Sequence, residues 1–170
     1  MGQKRNSILG FLAGAAILTG LDQWTKKLVA TNLKGRDPVI LWEGVFEFLY
    51  SENRGAAFGM LQGRQFFFFF VALLVFGAAF YVMWKLPSEK KYVPLKVCLT
   101  LICAGAAGNF IDRVAMGYVV DFLYFKLIDF PIFNVADCYV TVSTIALAFL
   151  LFRYYSDEDL EVLKPTRKES

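Results

Sequence analysis

Aspartates stand at the ends of three long uncharged stretches in this sequence. Asp22 follows the first stretch, Asp112 follows the second and Asp137 precedes the third. Each stretch has 15 residues without a charge, and the three are residues 7–21, 97–111 and 138–152. If they cross a membrane within a bundle of alternating spans, all three carboxyl groups lie on the same side. Ionisable side chains at membrane depth are costly in free energy, so they are candidate functional groups.

The absence of histidine limits the chemistry that these residues could do. Without histidine, the chain has no Ser–His–Asp or Cys–His catalysis and no His-ligated zinc site. The three cysteines lie in apolar stretches without CxxC spacing. They are therefore expected to be buried packing residues: Cys98, Cys103 and Cys138.

Two carboxyl groups remain as the available acid–base pair. An ionised carboxylate can take a proton from a water molecule, while a protonated carboxyl polarises a peptide carbonyl and then protonates the leaving amine. Two such groups close together in a low dielectric cannot both ionise, so they share one proton and titrate as a unit. Such a pair can hydrolyse a peptide bond without a covalent intermediate.

Two of the aspartates have a cation close by in the sequence. Asp22 has Lys26 one helical turn away, and Asp112 is followed by Arg113. Opposite charges at positions i and i+4 meet on one face of a helix. This pattern favours a permanently ionised, structural role for Asp22 and Asp112.

Asp121 and Asp137 have the apolar settings that a proton-sharing pair requires. Asp121 lies within the apolar residues 119–123, and Asp137 follows Val135 and Ala136 at a predicted helix start. Asp137 could instead cap that helix, and Asp121 could be an acid at the membrane interface. The residues alone leave these alternatives open.

The composition predicts a membrane protein. Of the 170 residues, 57% are apolar and 19% charged, and the mean hydropathy is +0.49. A soluble domain is about half apolar and about a quarter charged. Residues 65–84 form 20 uncharged positions, enough to cross about 30 Å of hydrocarbon. We predict a single all-α integral membrane domain, 1–170, a four-transmembrane-helix bundle with spans near 8–30, 65–84, 93–111 and 136–155.

The orientation of the bundle follows from the positive-inside rule. The N-terminus carries Lys4 and Arg5, and the link 85–92 is rich in lysine. Charges are more balanced in the other two loops, 31–64 and 112–135. We therefore expect both termini and the link in the cytoplasm, with the two loops and the aspartates at the extracytoplasmic face.

The outer loops are expected to cover that end of the bundle. Residues 38–42 and 45–50 have strand-like patterns, which predict a small extracytoplasmic β-sheet or cradle. Residues 119–125 are too apolar for a free loop, and we expect them either to lie along the interface as a loop or helix or to pack over the bundle. The net charge of +3 comes without a continuous basic face, so nucleic-acid binding is not expected.

Five short motifs follow one another along nearly the whole chain. They are Asp22-Gln23-x-x-Lys26, Asn53-x-Gly55-Ala56-Ala57-Phe58, Gly108-Asn109-x-x-Asp112-Arg113, Val119-Val120-Asp121-Phe122 and Phe133-Asn134-x-Ala136-Asp137. In this combination the sequence resembles the lipoprotein signal peptidases, also called signal peptidase II, the aspartic peptidases of family A8. Each motif alone is weak, but five in this order are specific.

The resemblance implies an aspartic endopeptidase of the bacterial inner membrane. Such an enzyme removes the signal peptide of diacylglyceryl-modified prolipoproteins by cleaving just before the lipobox cysteine, and it uses no metal or organic cofactor. The implied partners are these prolipoprotein substrates, membrane lipid and globomycin-type inhibitors that bind the catalytic pair. A monomer suffices for this mechanism.

The motif match also assigns roles to individual residues. Asp121 and Asp137 correspond to the catalytic dyad, and Asp22 and Lys26 hold the outer end of the first span. The residues expected to bind substrate or brace the site are Asn53, Gly55, Asn109, Asp112, Arg113 and Asn134. We also expect aromatic side chains of the second outer loop to close over the substrate: Tyr118, Phe122, Tyr124 and Phe125.

Three other functions are compatible with parts of the sequence. A small ion- or proton-coupled transporter would use the aspartates as a relay, but the acids lie at one face and no inverted repeat is evident. An assembly or chaperone subunit would leave the clustered asparagines and aspartates unexplained. A Ser–Lys peptidase would pair Ser51 with Lys26, but Ser51 lies beside Glu52 at the edge of a predicted strand and fits a surface serine.

Overall fold

The computed structural model of the chain describes residues 2–55 and 64–164. Its long helices in this part of the chain are α1 (Gly2–Leu33), α2 (Gln65–Lys85), α3 (Val93–Met116) and α4 (Val135–Phe149). A π-helical turn, Leu150–Tyr154, continues α4. With that turn, all four are long and apolar enough to cross a membrane. The predicted four-helix architecture is confirmed.

Short helical segments complete the described chain. A 3₁₀ turn, Lys90–Tyr92, leads into α3, and another, Lys126–Ile128, lies before α4. After α4 come a short helix α5 (Asp157–Leu160) and a 3₁₀ turn, Glu161–Leu163.

The central helix of the bundle is α3, which packs against α1, α2 and α4. Its middle is made of small residues, and Ala104 and Gly105 are buried. A Cβ on Gly105 would lie 2.5 Å from the carbonyl oxygen of Ala136, so the close approach of α4 requires glycine there. Cys98 and Cys103 are buried in the adjoining core, as predicted.

A three-stranded antiparallel sheet contacts α1 and α3. Its strands are β1 (Val39–Trp42), β2 (Phe46–Asn53) and β3 (Val119–Phe125), hydrogen-bonded in the order β1-β2-β3. The first two correspond to the strands predicted from the sequence, although β2 continues to Asn53 and so carries that residue into the sheet.

The third strand confirms one part of the prediction and corrects another. Residues 119–125 pack against α1 and α3, as one alternative predicted. They do so as a strand paired with β2 and not as an interfacial loop or helix, and Lys126–Ile128 is the helical turn beside them. Leu123 also pairs with Phe133 on the other side. Phe122 is buried within this sheet. The aromatic side chains of this strand are therefore not part of a free loop that could close over a substrate.

Two helices extend beyond the predicted spans. Asp22 lies well inside α1, and Asp112 lies inside α3, and both are completely buried. The predicted first span, 8–30, already contained Asp22, whereas the predicted third span, 93–111, ended just before Asp112. A charge does not end a helix when an opposite charge meets it, and Lys26 lies within 3.0 Å of both carboxylates.

Gly117 ends α3 and turns the chain into β3. Its φ of +79° lies in the left-handed region, and its N–H donates to the carbonyl oxygen of Arg113 at 3.0 Å. Glycine adopts this conformation without steric cost because it has no Cβ. The turn places the strand that carries Asp121 directly after the helix that carries Asn109.

Candidate active site

A cavity of about 550 Å³ brings Asp121 and Asp137 together. Asp121 comes from β3 and is buried, and Asp137 comes from the first turn of α4 and is half-buried. Asn53, Asn109 and Arg113 also line this cavity. Five of the residues predicted to form the site therefore meet in one place.

Asn134 connects the two carboxyl groups. Its Nδ2 donates to Oδ1 of Asp121 at 2.6 Å, and its backbone N–H donates to Oδ2 of Asp137 at 3.1 Å. Asn134 is also the N-cap of α4, because its Oδ1 accepts from the N–H of Asp137 at 3.0 Å. Asp137 thus completes a capping box, as the capping alternative predicted, and it lines the cavity as well.

Asn53 reaches Asp121 across the sheet. In the register of β2 and β3, Asp121 lies opposite Ser51, so Asn53 is its diagonal neighbour on the same face. Asn53 Nδ2 donates to Oδ2 of Asp121 at 2.9 Å, while its Oδ1 accepts from the N–H of Gly55 at 3.0 Å. Because a backbone N–H holds the oxygen, the amide presents its NH₂ group to the carboxyl group.

Asn109 makes the corresponding contact with Asp137. Its Nδ2 donates to Oδ1 of Asp137 at 2.7 Å, and its Oδ1 accepts from Lys26 Nζ at 2.9 Å and from Asn134 Nδ2 at 3.1 Å. An ammonium group only donates, so the oxygen of this amide faces Lys26 and its NH₂ group faces the carboxyl group. All three asparagines therefore direct NH₂ groups at the two aspartates.

The surroundings raise the pKa of Asp121 to about 7. Burial is the main cause, since it disfavours the charged carboxylate, and the neighbouring charge of Asp137 acts in the same direction. The hydrogen bonds from Asn53 and Asn134 oppose the rise. Asp121 therefore keeps its proton at pH values where an ordinary aspartate is ionised.

A second group of buried charges lies beside the cavity. Lys26 Nζ lies 2.9 Å from Oδ2 of Asp22 and 3.0 Å from Oδ2 of Asp112, and all three side chains are buried. We name Asp22, Lys26 and Asp112 the Lys26 cluster. Gln23 joins it, since its Nε2 donates to Oδ1 of Asp112 at 2.8 Å. The pairing of Asp22 with Lys26 at i, i+4 is confirmed.

The Lys26 cluster is hydrogen-bonded to both segments that carry the cavity aspartates. Asp22 Oδ1 accepts from the N–H of Ala136 at 2.8 Å, and Asp112 Oδ2 accepts from the N–H of Val120 at 3.2 Å. Each of these backbone groups directly precedes one of the two aspartates in the sequence. The cluster therefore fixes the start of α4 relative to β3, which is a structural role.

Arg113 does not pair with Asp112, so that part of the prediction is wrong. Its guanidinium group donates to the carbonyl oxygens of Gly55 at 3.0 Å and Asn109 at 3.3 Å, and it lies 4.2 Å from the ring centroid of Phe68. Adjacent residues of a helix point in directions about 100° apart. Asp112 thus faces α1, and Arg113 faces the cavity.

Several residues at the cavity were not predicted. Cys138 was expected to be a buried packing residue, but it is half-buried and lines the cavity with Thr141 and residues 130–133. These side chains shape the cavity and carry no motif that a sequence would reveal. Gln23 stands inside the first motif and could have been assigned to the cluster. Residues 56–58 of the second motif lie outside the described residues.

The sequence model of one protein family, described as signal peptidase (SPase) II, matches residues 14–153. The chain belongs to the signal peptidase II family. It is similar to the lipoprotein signal peptidase of Streptococcus thermophilus strain CNRZ 1066, with 45% identity over 80% of this chain and 88% of the relative. It is also similar to the lipoprotein signal peptidase of Caldanaerobacter subterraneus subsp. tengcongensis, with 46% identity over 80% of this chain and 91% of the relative.

Two solved structures have the same fold. Both are described as bacterial membrane enzyme structures obtained by the in meso method, at 2.3 Å and 1.9 Å resolution. The first has a TM-score of 0.75 and 34% identity, and covers 85% of this chain and 88% of that one. The second has a TM-score of 0.74 and 33% identity, and the match covers 87% of this chain and 96% of that one. The protein is thus a multi-pass membrane protein, and its membership of this family indicates a protease that removes signal peptides from prolipoproteins.

Proposed function

We propose that the protein is an aspartic endopeptidase in which Asp121 and Asp137 form the catalytic dyad. The observation that carries the proposal is that Asn134 is hydrogen-bonded to both carboxyl groups at the wall of one cavity. Two carboxyl groups this close in a buried site share one proton, so one is protonated while the other is ionised. This is the protonation pattern that the reaction needs.

The reaction follows from this difference in protonation. The ionised carboxylate takes a proton from a water molecule, which attacks the carbonyl carbon of the scissile peptide bond. The protonated carboxyl donates a hydrogen bond to the carbonyl oxygen, and the tetrahedral intermediate collapses when the leaving amine is protonated. The asparagines hold the carboxyl groups, and Arg113 has an Nε–H without a partner among the described residues. That donor could bind a substrate carbonyl oxygen.

We infer that the substrate is the signal peptide of a diacylglyceryl-modified prolipoprotein, cleaved just before the lipobox cysteine. A second cavity of about 300 Å³ adjoins the first and shares Asn109, Arg113 and Asp137 with it. Side chains of α2, α3 and α4 line this groove, which includes Gly105 and Ala106. Most of the lining is apolar and includes Phe68, Val71 and Ile102, so the groove suits an apolar signal helix that enters from the bilayer.

The proposed location is the bacterial inner membrane, with both termini in the cytoplasm and the dyad at the extracytoplasmic face. The lysines near α2 and α3 and the basic N-terminus support this orientation. A lipid-modified cysteine would hold the scissile bond at the depth of the cavity. Membrane lipid is the expected surrounding, globomycin-type inhibitors are expected to bind the dyad, and one copy of the chain contains the whole site.

Identification of the cleaved bond tests the proposed function. Purified protein in detergent is expected to cut a diacylglyceryl-modified prolipoprotein so that the modified cysteine becomes the new N-terminus. Mass spectrometry of both products gives the bond directly. The matched control is the same prolipoprotein without the lipid, which should be cut far more slowly. Cleavage at another bond, or equal cleavage of both substrates, would contradict the proposed substrate.

The rate of cleavage is expected to fall as the pH rises through about 7. Because the pKa of Asp121 is raised to about 7, this side chain keeps its proton below that pH and loses it above. The reaction needs one protonated carboxyl group, so the loss of that proton removes the general acid. Initial rates at saturating substrate from pH 5 to 9 measure this fall in rate, with thermal unfolding at each pH as the control. A rate that stays constant from pH 7 to 9 would exclude Asp121 as the acid.

A further inference from the structure

Lys26 uses all of its hydrogen-bond donors inside the protein. An ammonium group has three N–H donors and no acceptor. Lys26 Nζ lies 2.9 Å from Asp22, 3.0 Å from Asp112 and 2.9 Å from Oδ1 of Asn109. The two carboxylates already neutralise its charge. The third bond goes to a neutral amide, which charge balance does not require.

That third bond fixes the direction of the Asn109 amide. With its oxygen facing the ammonium group, the amide has only its NH₂ group to present to Asp137, and it does so at 2.7 Å. An N–H donor facing a carboxyl oxygen favours the ionised form of that group. Asn134 Nδ2 also donates to this oxygen, at 3.1 Å, but the bond from Lys26 is shorter and is charged. Without Lys26 only the bond from Asn134 opposes rotation of the amide, and a rotated amide would face Asp137 with its oxygen and favour the protonated form.

Other charges also act on Asp137 from the elements around it. The cations are Lys26 on α1 and Arg113 on α3, and both favour an ionised carboxylate. The acids that oppose ionisation are Asp22 on α1, Asp112 on α3 and Asp121 on β3. Phe68, which α2 contributes to the cavity, carries no charge. Among these groups, only Lys26 is hydrogen-bonded to the amide that itself donates to Asp137.

We propose that Lys26 is a positioning residue that acts through Asn109 to hold Asp137 as the ionised member of the dyad. Asp137 is then the base that takes a proton from water, and Asp121 is the acid. This assignment rests on the proposed aspartic peptidase function. It gives Lys26 a role in the reaction in addition to its structural role in the Lys26 cluster.

A pH profile of kcat/KM for Lys26 variants tests the proposal. The acid limb of this profile is the fall in activity at low pH, where the base becomes protonated. In Lys26→Met this limb is expected to move to higher pH by about one unit. At a pH below the limb, activity therefore falls about tenfold. Lys26→Met alone leaves two buried carboxylates unpaired and could unfold. The double variant Lys26→Met/Asp112→Asn keeps the net charge of the Lys26 cluster unchanged and serves as the second test. Lys27→Met, at an exposed neighbouring position, is the matched control.

A double-mutant cycle with Asn109→Ala tests whether Lys26 acts on Asp137 through Asn109. If Lys26 acts through Asn109, Lys26→Met is expected to shift the acid limb less in the Asn109→Ala background, where only its direct charge still acts on Asp137. A purely structural role would lower the unfolding temperature and the amount of active enzyme at every pH and leave the limb in place. An unmoved limb in the folded variants, or independent effects in the cycle, would overturn the proposal.

The aspartate variants distinguish this proposal from the proposed function. If Asp121→Asn and Asp137→Asn remain active in the same assay, the aspartic peptidase function itself is wrong. If both are inactive while folded Lys26 variants keep the wild-type acid limb, only the role of Lys26 is wrong.

Discussion

Replacement of either Asp121 or Asp137 by asparagine is expected to abolish cleavage while the protein stays folded. Asparagine has nearly the same shape as aspartate but can neither accept the proton from water nor donate one to the leaving amine. Acid–base catalysis contributes about 10²–10⁴-fold to a rate, and a loss of at least this size is expected for each variant. Initial rates of prolipoprotein cleavage measure it.

The hydrogen bonds of the site explain why these variants should remain folded. In Asp137→Asn, one new NH₂ group meets the NH₂ group of Asn109, and in Asp121→Asn it meets Asn53 or Asn134. One mismatched hydrogen bond costs about 1–3 kcal/mol, which is less than the total stability of about 5–15 kcal/mol typical of a folded protein. Monodispersity in detergent and the unfolding temperature check this directly.

Glu47→Gln is the matched control for the aspartate variants. Glu47 is also a buried acid of the sheet, at 4% exposure, but its carboxylate pairs with Lys126 at 2.7 Å and does not line the cavity. It should therefore keep wild-type cleavage. The two aspartates act as a unit, so the double variant should be no slower than either single one. Full activity in either folded single variant would exclude the dyad.

The helices were predictable because a membrane span imposes a strong constraint on its own sequence. A span needs about 20 predominantly apolar residues, and this pattern is visible within the sequence of each of the four spans. The end of α3 was not predictable from the same pattern. Asp112 follows the apolar stretch and suggested an end there, but inside the fold it pairs with Lys26, a residue 86 positions earlier in the chain.

The third strand and the orientation of Arg113 depend on contacts that a local pattern does not contain. Residues 119–125 become β3 because β2, about 70 residues earlier, pairs with them. Their apolar character alone fits an interface equally well. Arg113 follows Asp112 in the sequence, which suggested an ion pair, but the rotation of the helix places the two side chains towards different elements.

The members of the site were predictable as a set, but their hydrogen bonds were not. The five motifs named Asn53, Asn109 and Asn134 as residues that bind substrate or brace the site. Which end of each amide faces a carboxyl group depends on Gly55, Lys26 and the backbone of α4. These partners come from separate segments, so the orientation of the amides becomes visible only in three dimensions.

Gly108→Leu is expected to prevent normal folding. A Cβ at this position would lie 3.0 Å from Cγ of Asp22 and 3.2 Å from Cβ of Ala136. Even the first added carbon would displace the Asp22 carboxylate from Lys26 and from the N–H of Ala136. Asp22 is therefore the first group in the way of a side chain at this position.

The expected cost of Gly108→Leu is large because it separates a buried ion pair. Breaking such a pair costs about 3–5 kcal/mol, a large part of the stability of about 5–15 kcal/mol that a folded protein has. The yield of monodisperse protein in detergent and the unfolding temperature measure the loss. Gly77→Leu is the matched control, since a Cβ on Gly77 of α2 meets nothing within 4 Å.

The comparison of the two leucine variants tests how the dyad is positioned. Asp22 is hydrogen-bonded to the start of α4, one residue before Asp137, so its displacement should also lower cleavage by any protein that still folds. If Gly108→Leu unfolds at the same temperature as Gly77→Leu and cleaves at the wild-type rate, α1, α3 and α4 do not pack as closely as described. The Lys26 cluster would then not be what fixes the position of Asp137.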